Sequence, residues 1–96
     1  MRYFHRTALP IDDVLAAADT YLGQRMEAVT RDARHRTFRH AAGTVTVDLR
    51  AEGGHYTLVT VATDQVGESE VDKLAKRFLG VVHAQLHHGH EVRGAY

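Results

Sequence analysis

The sequence predicts an α+β domain: an antiparallel sheet of three or four strands, with an N-terminal helix and a long C-terminal helix packed on one face, in the order β-α-β-β-β-α. Three observations carry that expectation. Residues 44–50, TVTVDLR, alternate apolar and polar side chains, the period of a half-buried strand. The glycines of AEGG at 51–54 offer a hairpin turn into a second strand, HYTLVTVAT at 55–63. Beyond it, Val71, Leu74, Ala75, Phe78, Val82 and Leu86 recur at the spacing of one helix face.

The elements follow in chain order. RYFHRTAL at 2–9 is rich in β-forming residues and stops at Pro10, which predicts a first strand. Pro10 suits a helix start, because its missing N–H has no partner to lose there. Asp12 and Asp13 then fall where the helix dipole favours negative charge. Ile11, Val14, Leu15, Ala18 and Leu22 make one apolar face, and Gly23 ends it. Residues 34–40 read as a strand, while 26–32 fit either a strand or an extension of the helix. In TVTVDLR, Val45, Val47 and Leu49 share one face. In the next strand Tyr56, Leu58 and Ala62 oppose Val59 and Val61, so both faces are apolar and a central position is expected. Ser69 followed by Asp72 resembles a capping box for a helix over 69–88. Gly89 is expected to end it and leave 89–96 as a mobile tail.

Composition narrows the function. Ninety-six residues, 44% hydrophobic and 25% charged, suit one globular domain. The formal net charge is zero, which argues against binding nucleic acid by bulk charge. The absence of cysteine excludes disulfides, thiolate metal sites and cysteine nucleophiles. A small domain without disulfides is expected in the cytoplasm. No apolar stretch follows MRYFHR and no run is long enough to span a bilayer, so neither a signal peptide nor membrane association is expected.

The first twenty residues also carry a resemblance. YFHRTALPIDDVLAAADTYL at 3–22 resembles the opening of the START and polyketide-cyclase-like helix-grip superfamily, through Pro10, Asp12, Asp13, Val14 and Leu15. Residues 55–86 resemble that superfamily's last strand and long helix. The chain is shorter than full members, whose additional strands complete a grip around an apolar cavity. At this length it resembles a half-sized version, similar to one repeat of a TATA-box-binding-protein-like sheet. The resemblance implies binding of a hydrophobic small molecule and carries no catalytic residue to any position here.

Four groups of side chains are candidates for chemistry. Tyr56, Leu58, Phe78 and Val82 are candidates to line a ligand pocket between sheet and long helix. His83 and His87, four apart on a helix, share one flank and with His90 form a candidate metal or haem site. The HExxH pattern of zinc proteases is absent. A polar helix flank explains the same histidines without a metal. Arg31, Arg34, Arg36 and Arg39, with His35, His40 and Phe38, could contact phosphates and a base. They equally suit a charged edge strand that resists edge-to-edge pairing. Among the carboxylates, Asp48 faces away from the valine stripe and is expected to pair with an arginine on the neighbouring strand. Ser69 is the only serine and serves better as a helix cap than as a nucleophile. Tyr3, Phe4, Tyr21, Phe38, Tyr56 and Phe78 are expected mainly in the core. No motif names a reaction or a cofactor. The expected function is a non-enzymatic binding or interaction module, a homo-oligomer. The alternatives are a small polyketide-cyclase-like enzyme or carrier, and a histidine metal or haem site.

Overall fold

The strands expected at 44–50 and 55–63 form a long hairpin from which the rest of the sheet grows. The computed structural model describes the backbone of residues 1–65 and 69–95, and their side chains except those of 31 and 86–95. Its elements are β1 (Arg2–Thr7), α1 (Ile11–Tyr21), β2 (Glu27–Arg31), β3 (His35–His40), β4 (Gly43–Glu52), β5 (Tyr56–Thr63) and α2 (Glu70–Ala95). All strand pairs are antiparallel, in the order β1-β5-β4-β3-β2. The α+β class and the two helices match the sequence reading, but the sheet has five strands instead of three or four. The additional strand is β2, in the stretch that fitted strand or helix equally well. Its weak alternation has a cause: the register slips between Ala28 and Thr30, and the bulge breaks the period of two.

Local chemistry fixes the ends of the elements. Gly53 and Gly54 turn β4 into β5 with φ of 61° and 75°, a left-handed backbone that costs other residues energy. Pro10 caps α1 with an extended backbone, and Asp12 and Asp13 occupy its first turn. After α1, a Cβ on Gly23 would stand 2.1 Å from the Asp19 carbonyl oxygen, so only glycine fits there. At α2, the Ser69 Oγ accepts the Asp72 backbone N–H at 3.2 Å, half of the expected capping box. The reciprocal half is diverted, because the Asp72 carboxylate turns to Tyr3 and Lys76. The expected stop at Gly89 is not met: α2 continues through it to Ala95. One glycine costs a helix only about 1 kcal/mol relative to alanine, too little to force an end.

The strand register sorts every side chain onto one of two faces. Tyr3, Val61, Val47 and Arg36 form one row under the helices, His5, Val59 and Leu49 a second, and Val45, Phe38 and Ala28 a third. Onto these rows α1 sets Val14, Leu15, Ala17 and Ala18, while α2 sets Val71, Ala75, Phe78 and Val82. Phe38, Phe78, Val45, Val47, Val59, Val61 and Val82 have no exposed surface. Among the described side chains of α2, Val82 is the last that is buried, and positions 83–85 are exposed. Arg36 also points inward and holds α1 to the sheet through Asp19 at 3.1 Å.

Candidate functional site

Among the described residues no helix covers the other face of the sheet, and its side chains pack against their strand neighbours. Arg2, Phe4 and Arg6 of β1 point there, as do Tyr56, Leu58, Thr60 and Ala62 of β5. Phe4 sits opposite Thr60 and diagonal to Leu58 and Ala62, so an aromatic and two apolar side chains form one patch. Phe4 is 64% exposed and Tyr56 52%. The expectation of a core position therefore fails for these two residues. Alternation offered a signal for Phe4: Arg2 and Arg6 stand two residues on either side of it, and no core face accommodates both. Leu58 lies lower, half-buried between Arg6 and Arg50.

Charge surrounds this patch in both signs. Arg6 reaches across β5 to Glu52, 2.8 Å from Nε to Oε1. His35 and Asp48 are direct cross-strand partners, with Nδ1 and Oδ1 2.5 Å apart. The other nitrogen of His35 lies 3.1 Å from the Thr37 hydroxyl. The expected partner of Asp48 was an arginine. The register puts His35 there instead, because Arg36 and Arg34 are carried elsewhere by the alternation of β3 and its preceding turn. The arginine-rich segment is thus divided. Arg36 serves the covered face, Arg39 lies on the open face opposite Thr44, and Arg31 has a side chain outside the described residues.

The candidate ligand residues are separated by the sheet itself. Tyr56 and Leu58 point to the open face, whereas Phe78 and Val82 are fully buried on the other. Phe78 and Val82 belong to one buried cluster with the valines of β4 and β5. Surface grooves lie elsewhere among the described residues. One of about 360 Å³ runs along the end of the sheet and is lined by Leu9, Pro10, Ile11, Ala51, Tyr56 and Thr57, among others. The second, about 330 Å³, lies between the helices and includes Ala17, Tyr21, Arg25 and Val81. In it Arg25 stacks on the Tyr21 ring at 3.9 Å.

Titratable side chains of β1 and α2 also meet on the covered side of the sheet. Asp72, 1% exposed, accepts the Tyr3 hydroxyl hydrogen and is 3.3 Å from Lys76. The Tyr3 hydrogen bond, aided by Lys76, holds the Asp72 carboxyl below the usual carboxylate range despite burial. The same bond raises the Tyr3 hydroxyl above its ordinary value. At the far end of β1, His5 meets His83 with ring centroids 5.9 Å apart. Burial first, and the charge of His83 second, lower the pKa of His5. The other candidate metal ligands, His87 and His90, have side chains outside the described residues. Among the described residues no three metal-ligating side chains converge, and no helix is long and apolar enough to cross a membrane.

Comparison with known proteins gives no match to a family model, a curated protein or a solved structure.

Proposed function

We propose that this chain is a non-enzymatic interaction module that pairs with a second copy of itself through the open face of its sheet. The observation that carries this reading is the one-sided cover of a five-stranded sheet whose other face exposes Phe4 and Tyr56. A sheet face with apolar content either meets solvent at a cost or finds a partner. Strands about 4.8 Å apart and some 20 Å long make a face of roughly 400–500 Å² in projection, so two copies would cover roughly 800–1,000 Å², the size of a weak or transient interface. A two-fold interface must be complementary to itself. This face offers arginines at 2, 6, 39 and 50 and carboxylates at 27, 48 and 52, so it carries both signs that a self-complementary interface requires. Zero formal net charge removes the general repulsion between copies.

Sedimentation velocity at micromolar protein tests the reading. A dimer is expected, and Phe4→Asp is expected to return it to monomer without unfolding it. A wild-type monomer overturns the proposal.

The end groove favours a second reading, a site for a small hydrophobic molecule. Its volume is in the range of small-molecule sites, and Leu9, Ile11 and Tyr56 give it apolar walls. The helix-grip resemblance belongs with this reading. The two segments that carry it, at either end of the chain, meet where β1 pairs with β5. Native mass spectrometry distinguishes the two: retained small-molecule mass favours the groove, and dimeric mass without it favours self-association.

A further inference from the structure

We propose that His5 and His83 form a two-imidazole site for a transition-metal ion of the zinc, nickel or copper class, which clips β1 to α2. His5 lies on the inward face of β1, opposite Val59, and its ring reaches the rim of the helix layer. His83 follows the buried Val82 on α2 and is exposed. Their ring centroids are 5.9 Å apart with planes inclined at 75°. Two imidazoles sharing one ion, each nitrogen about 2.0–2.1 Å from it, hold their centroids roughly 5–6.5 Å apart, from tetrahedral to linear geometry. The observed separation falls inside that span.

Two further features suit a ligand role. Among the described residues, no hydrogen bond engages the His5 ring, whereas His35 and His40 are both committed to neighbours. The backbones beneath the pair are fixed, because Val59 and Val82 beside them are wholly buried. The ion therefore meets two donors already brought together by folding, from opposite ends of the chain, and closing that long loop costs it nothing further. Among the described residues no third donor converges there. Imidazole ligands favour zinc, nickel and copper over magnesium or calcium. Binding to the folded state alone raises stability by mass action.

The experiment uses the full chain near neutral pH, with zinc and nickel as probes. Calorimetric titration and thermal midpoints are measured for wild type, His5→Gln, His83→Gln and His55→Gln. Wild type and His55→Gln are expected to bind with one stoichiometric ion and a raised midpoint. His5→Gln and His83→Gln should each weaken binding by about tenfold or more and remove the midpoint rise. Wild-type affinity in His5→Gln overturns the site, since it leaves the ion to the helix histidines alone. Imidazole nitrogen NMR of the wild type keeps the test open if a variant fails to fold: zinc must shift the signals of both His5 and His83, and an unmoved His5 signal refutes the clip.

Discussion

The two faces of this sheet are built from the same strands and governed by different physics. Under the helices, Val45, Val47, Val59, Val61, Phe38 and Phe78 are packed to zero exposure, and the polar groups admitted there are tied down. Arg36 is anchored to Asp19, and Asp72 to Tyr3 and Lys76. On the open face Phe4 and Tyr56 remain more than half exposed, and the polar pairs Arg6–Glu52 and His35–Asp48 are in contact with solvent. The difference teaches where mutational energy resides. A methylene lost under the helices leaves a cavity, while one lost on the open face is replaced by water.

The largest expected effect is on the covered face. Phe78→Ala should cost about 3–5 kcal/mol, the usual range for a buried aromatic, read as a lower urea midpoint at an unchanged slope. A loss no greater than that of a surface substitution would break the comparison between faces.

The buried carboxylate gives the next effect, and it depends on pH. Asp72 titrates below its ordinary value of 3.8 in the folded protein, so the unfolded chain binds the proton more readily. Its stabilising contribution is complete above 3.8 and is lost as pH falls through the folded value. Tyr3, raised above its ordinary 10.0, contributes below that value and loses its contribution as pH rises through the folded one. Tyr3→Phe should flatten both limbs of a stability profile measured by urea melts. An unchanged acid limb would remove Tyr3 from the network.

On the open face the effects shrink. A double-mutant cycle on Arg6 and Glu52, each changed to alanine, should return a coupling of about 0–1 kcal/mol that fades in high salt. The smallest expected change is in Phe4→Ser, which should alter the unfolding free energy of the monomer by no more than about 0.5 kcal/mol. Its effect on association should be far larger. A strong effect on monomer stability would mean that Phe4 belongs to the core after all.

Local sequence was sufficient for much of this molecule. The alternation in TVTVDLR and HYTLVTVAT specified two strands and the face each valine occupies, because a pleated strand admits only a period of two. The AEGG turn, Pro10 and the Ser69 cap marked element ends, since each answers a backbone requirement within a few residues. The two apolar helical stripes specified both helices and named Phe78 and Val82 as buried. What local pattern could not supply was the identity of neighbours. β2 is a strand because β3 offers it hydrogen bonds, and its bulge erased the periodicity that would have announced it. Phe4 is exposed because the pairing of β1 with β5 turns Tyr3, His5 and Thr7 toward the helices, and hydrophobicity alone favoured the opposite choice. Tyr56 and Phe78 were candidates for one pocket until the sheet stood between them. His5 and His83 are far apart in the chain and meet only because β1 and α2 pack together. Patterns of spacing are local, while contacts between distant segments follow from strand order and packing, and those the tertiary structure alone decided.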